Sequence, residues 1–171
     1  MYPIEALKNT VEHMTDDAKV QYISDTIKAC RQTLYGIYDQ KVKSKFAVGD
    51  MVYMNNGNLF IGVLKEIDGS YVDVKWDNYN HTMSYNYEYI DAFDHSVLST
   101  LLPVGSKVVM AGDFPGAKEW FKYGNTSFGK ANWVKIVGYD GIRVRVKLDD
   151  GSELVAVSHS LHLDSIKQEN S

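Results

Sequence analysis

Two periodicities divide the chain. Over the first forty residues apolar positions recur every three or four. Ile4, Leu7, Val11 and Met14 follow Pro3, which suits a first helical turn. Thr15 is a fitting N-cap, and Asp16 and Asp17 favour the positive end of a helix dipole. Val20, Ile23, Ile27, Cys30, Leu34 and Ile37 then form a narrow seam on a second helix ending near Tyr38, its last turn weakened by Gly36. That seam packs on the protein's own remaining parts, or it joins two copies of the chain. It is shorter than a sustained coiled coil.

From Phe46 the period becomes two. Strands are predicted over 51–54, 59–67 and 71–76. Asn55-Asn56-Gly57-Asn58 is a turn by composition, and Asp68-Gly69 is a hairpin signal. Residues 82–90 alternate again, with Met83, Tyr85, Tyr87 and Tyr89 on one side and Ser84, Asn86 and Glu88 on the other.

The pattern then recurs. Val48-Gly49-Asp50-Met51-Val52-Tyr53-Met54 matches Val104-Gly105-Ser106-Lys107-Val108-Val109-Met110. The segment from Ile67 to Trp76 resembles that from Tyr139 to Leu148. The predicted fold is α+β: a helical region over 1–45, a small antiparallel barrel over 46–95 and a second over 102–166. Residues 91–102 form the link, with Pro103 ending any helical turn there. The second copy carries an insertion over 113–133.

Composition bounds the chemistry. The chain has 171 residues, 44% hydrophobic and 23% charged, which indicates a folded protein. No apolar run reaches the ~20 residues of a membrane span, so no membrane partner is expected. The N-terminus lacks the basic and apolar pattern of a secretion signal. Cys30 is the only cysteine, which rules out an intramolecular disulfide and favours a cytoplasmic setting. Its apolar position in the helical pattern reads as a buried, inert thiol.

The net charge of −4 is unevenly spread. Residues 46–100 hold only Lys65 and Lys75 against eight acidic side chains. Between Lys107 and Lys147 the balance reverses, with eight basic residues against Asp113, Glu119 and Asp140. An acidic total can therefore conceal a basic face.

Val48-Gly49-Asp50-x-Val52, then Gly57, then Gly62-Val63-x-x-Ile67, is similar to the opening of a KOW motif. Val72-x-Val74-x-Trp76-Asp77-x-Tyr79 resembles a Tudor strand running into an Asp-x-Tyr turn. Both belong to the SH3-like barrel families, which bind nucleic acid, methylated side chains or proteins. With its helical start and total size the chain also resembles the small MotB-type DNA-binding proteins of T-even-like phages. The Tudor resemblance implies an aromatic cage from Phe60, Trp76 and Tyr79, with Tyr53 nearby. Asn80-His81 stands where that family commonly has Gly-Asn. The bland alternative is that these rings fill a small core, with tyrosine hydroxyls reaching water. The second copy has Leu148 in place of Trp76 and should form no cage.

A second set of candidates interleaves cations with rings: Lys118, Trp120, Phe121, Lys122, Tyr123, Phe128, Lys130 and Trp133. Arg143, Arg145 and Lys147 alternate with Val144 and Val146, so they project from one strand face. A row of three cations beside the basic loop is suited to phosphates, and Lys107 and Lys135 are further candidate contacts. The rings suit stacking on bases or wedging into a groove. No zinc-finger spacing, basic zipper or recognition helix is visible, so backbone contact with little sequence preference is expected. The reading is a non-enzymatic, cytoplasmic binder of double-stranded DNA, phage-type, modulating DNA organisation or transcription. It needs no cofactor or metal, and the N-terminal helices are candidates for a homodimer. The alternative is a protein-interaction module, inhibitor or DNA mimic using the acidic, tyrosine-rich first barrel. Catalytic patterns are absent: there is no phosphate loop, dinucleotide fingerprint or nucleophile elbow, and His159 and His162 have no ligand set around them.

Overall fold

A computed structural model describes residues 3–168. Helix α1 spans Pro3–Val11 and α2 spans Asp16–Lys45. The Thr15 side chain accepts from the Ala18 amide at the start of α2. Helix α2 runs past Tyr38, where the sequence pattern places its end. Gly36 does not break it, and the i,i+4 pair Asp39–Lys43 at 2.8 Å bridges the next turn. Val42, fully buried, anchors that end of the helix in the first core.

Two five-strand antiparallel paths follow. The first comprises β1 (Met51–Asn55), β2 (Leu59–Asp68), β3 (Tyr71–Trp76), β4 (Met83–Asn86) and β5 (Asp91–Ala92), in the order β4-β3-β2-β1-β5. Helix α3 (His95–Leu101) occupies the link. The second path uses β6 (Ser106–Ala111), β10 (Lys130–Asp140), β11 (Arg143–Lys147), β12 (Glu153–Ala156) and β13 (Leu161–Gln168), in the order β12-β11-β10-β6-β13. Strand for strand the two connectivities are the same. Among the described residues neither sheet closes on itself.

The repeat extends to details. The Gly49 amide donates to the Leu64 carbonyl and the Gly105 amide to that of Ile136, both at 2.8 Å. Gly69 and Gly141 both turn their hairpins at φ 60°, a conformation glycine adopts without a Cβ penalty. Each long strand carries a bulge at the matching place, between Leu64 and Glu66 and between Ile136 and Gly138. A short 3₁₀ turn precedes each last strand, Tyr87–Tyr89 in one copy and Ser158–Ser160 in the other.

That turn interrupts the alternation predicted through residue 90. The Asn86 side chain accepts from the Glu88 amide and tightens the chain into the turn. Tyr87 is consequently buried while Tyr89 is 70% exposed. The turn carries the chain from β4 to β5, beside β1.

The two cores meet at the β1–β2 ribbon. Met54 pairs with Phe60 and faces the first core, with Val52, Leu64 and Trp76. Tyr53 pairs with Ile61 on the opposite face, toward Leu98, Val108 and Ile136 of the second core. Period-two geometry thus gives the ribbon two apolar faces.

Candidate nucleic-acid interface

Strand β11 buries Val144 and Val146 and exposes Arg143, Arg145 and Lys147. The three cations nevertheless have different neighbours. Arg143 makes a two-pronged contact with Asp77 in the turn after β3, Nε to Oδ2 at 2.9 Å and Nη2 to Oδ1 at 3.0 Å. Arg145 donates to Glu153 on β12 at 2.8 Å. Arg143 therefore ties the two halves together, and Arg145 ties two strands.

Lys147 belongs to another arrangement. It stands opposite Lys135, Lys135 stands opposite Lys107, and Lys107 stands opposite Lys167. Residues directly opposed across strands share a face. Four lysines thus form one row across β11, β10, β6 and β13, spanning about 14 Å at the usual strand spacing. They border a groove of about 570 Å³, together with Lys118, Asn132, Trp133 and Asp149. Lys118 is brought there because β7 (Lys118–Glu119) pairs with β10. The Lys167 ammonium lies 4.5 Å from the Trp133 ring centroid, within cation–π range.

The insertion packs most of its rings. Strands β8 (Lys122–Tyr123) and β9 (Thr126–Ser127) form a small hairpin, with Phe121 beside Phe128 at 6.3 Å. Tyr123 meets Trp133 edge-on at 5.4 Å, and Phe128 contacts His162 at 5.5 Å. Lys122 is exposed on the hairpin, and Lys130 pairs with Asp113 at 3.0 Å. Trp120 is different. It is 83% exposed and holds φ 55°, in the left-handed region that bulky residues seldom occupy.

Lys167 lies outside the basic stretch that the sequence singles out. The period-two pattern of β13 does not specify its partner, because a bulge between His162 and Lys167 resets the register. Ser165 fills that bulge. Its buried hydroxyl accepts from the Val109 amide at 2.7 Å and donates to the His162 carbonyl at 2.6 Å.

Of the four suggested cage residues, three come together. Phe60 lies 5.9 Å from Trp76 and 6.3 Å from Tyr79. Tyr53 does not join them, because it points from the other face of the β1–β2 ribbon. The His159 ring stacks on Phe60 at 5.1 Å and 3°, and contacts Tyr79 at 5.3 Å. Burial lowers the His159 pKa from the ordinary imidazole value, with Asp77 acting in the other direction. Trp76 is 1% exposed and donates its Nε1–H to the Tyr85 hydroxyl at 3.2 Å. The recess beside Trp76 and Tyr79 is also lined by Lys65, Lys75 and Asp77, the last paired with Arg143.

Cys30 is exposed on α2, contrary to the buried position its apolar pattern implies. A helix carried by its C-terminal end leaves that seam facing outward. Among the described residues no three or more His, Cys, Asp or Glu side chains gather to hold a metal, and no helix is long and apolar enough to cross a membrane. No protein-family model matches the chain, and no curated protein matches it in sequence.

Proposed function

We propose that the chain is a non-enzymatic binder of double-stranded DNA that holds the phosphate backbone in the lysine-lined groove of its C-terminal sheet. The carrying observation is the row Lys147–Lys135–Lys107–Lys167 across four neighbouring strands. Cations gathered on one sheet face suit contact with the successive phosphates of a polyanion. Lys118 adds a fifth ammonium at the groove, and Trp120, two residues on, offers an exposed ring for wedging or stacking. The paired, repeated strand order and the 3₁₀ turn before each last strand support reading each half as an SH3-like unit of the KOW and Tudor kind. Contacts of this type read backbone rather than base edges, so sequence preference is slight. Such a protein suits modulation of DNA organisation or transcription in a cytoplasmic, phage-type setting.

Gel shifts on duplexes of unrelated sequence test this reading. At low salt all duplexes are retarded alike. Lys107→Glu combined with Lys147→Glu abolishes the shift, whereas Arg143→Ala, which removes an ion pair outside the groove, retains it. Absence of a shift at low salt contradicts the reading.

A second reading has one observation in its favour. A groove of about 630 Å³ on the first half is lined by Tyr53, Glu88, Tyr89, Asp91 and Thr100, and Tyr89 is largely exposed. That surface suits a basic protein segment. Binding to a protein that is lost on Tyr89→Ala, with no DNA shift, selects it.

A further inference from the structure

Of the thirty residues of α2, only Val42 is buried. Val20 is 70% exposed, Ile27 48%, Leu34 53% and Ile37 56%. With Ile23 and Cys30 they form one apolar stripe along the helix. The helix is fastened to the body near its C-terminal end. There Val42 is buried, and the Tyr35 hydroxyl donates to Asp68 at 2.6 Å. Tertiary packing supplies most helical stability in water. Along the remaining length of α2 Ile23 is half-buried, and the other five stripe positions are exposed.

The stripe's sequence identifies what covers it. Set a second copy antiparallel, with the two-fold axis level with the Lys28–Ala29 bond. Val20 then meets Ile37, Ile23 meets Leu34, and Ile27 meets Cys30. Every stripe position gains an apolar opposite. One step further out, Asp16 meets Lys41. The flanking pairs are Asp17 with Tyr38, Ser24 with Arg31, Lys19 with Gln40, and Thr26 with Thr33. None joins like charges. The helix dipoles also oppose, placing acidic Asp16 and Asp17 beside basic Lys43 and Lys45 of the other copy. A parallel, in-register pair does the reverse: Asp16 faces Asp16, Lys41 faces Lys41, and the acidic and basic ends coincide. The geometry points to a two-fold antiparallel homodimer of this chain, closed by the α2 stripe in that register. Such an interface is isologous, with each residue's contact repeated by symmetry.

The test uses the full chain and is independent of DNA binding. Sedimentation at micromolar concentration gives the mass of two chains. Ile27→Glu with Leu34→Glu gives the mass of one, while the thermal transition of the sheets is retained, since both side chains are exposed in the single chain. Asp16→Lys and Lys41→Asp each weaken association at least several-fold, and their combination in one chain restores it. Orientation is read in a Cys30→Ala background. A mixture of Val20→Cys and Ile37→Cys chains forms a disulfide between unlike chains on oxidation, and Val20→Cys alone forms none. A wild-type monomer at the highest soluble concentration overturns the inference. So does a dimer that survives the Ile27 and Leu34 substitutions, or one cross-linked through Val20 to Val20.

Discussion

Trp76 and Trp120 put the same side chain to opposite uses. Trp76 fills the first core beside Gly62, where an added Cβ would approach the Lys75 carbonyl to 2.5 Å and the Trp76 ring to 2.8 Å. Trp76→Ala should cost about 3–5 kcal/mol and lower Tm by roughly 10 °C, read by thermal unfolding. Trp120→Ala removes an exposed ring, so stability should change by less than about 0.5 kcal/mol while DNA affinity falls. His159 offers a pH test. Burial holds its folded-state pKa below the ordinary imidazole value, so well above that value folded and unfolded chains are both neutral there. As pH falls through the ordinary imidazole range the unfolded chain takes up the proton first, and stability declines. His159→Phe should flatten that part of the Tm–pH curve. At this scale the sequence exposes residue type and spacing but not what fills the space. Phe60, Trp76 and Tyr79 are gathered as their motif suggests, yet the ring stacked on Phe60 comes from the far end of the chain.

Elements were legible where one period persists. Strands β1, β2, β3 and β11 follow their alternation, and the hairpin glycines sit where Asp-Gly signals them. Residues 87–89 were not legible as a turn, because Tyr87 and Tyr89 continue the alternating pattern while the Asn86 cap breaks the backbone. Pairing between distant strands was also beyond reach. The lysine row depends on β13 lying beside β6 with a bulge, and one hydroxyl holds that bulge. Ser165→Ala leaves the buried Val109 amide without its acceptor, which should cost about 1–3 kcal/mol. It should also weaken DNA binding more than its loss of stability alone accounts for, because the register that sets Lys167 opposite Lys107 is loosened. Comparison of denaturant midpoints with binding curves checks both effects. Arg143, a candidate phosphate contact in the strand pattern, is paired with Asp77. Arg143→Ala should therefore lower Tm modestly and leave the salt dependence of binding nearly intact.

At the scale of the whole molecule, a repeated strand plan has been given two surfaces. The first half gathers carboxylates and tyrosines, and the second gathers ammonium groups at one groove, although the chain is acidic overall. The halves are joined by the β1–β2 ribbon, which feeds Leu59 and Ile61 into the second core. Dimerisation through α2 would put two such grooves in one assembly, and simultaneous engagement of a duplex by both would raise avidity without adding a new kind of contact. The direct test of the account is the slope of log binding constant against log salt, measured on unrelated duplexes at constant pH. Neutralisation by five lysines predicts a slope of about −4.5 for each groove engaged, its magnitude reduced by about 2 per groove when Lys107 and Lys147 are replaced by Gln. A slope near zero, or one unchanged by those two replacements, contradicts the account.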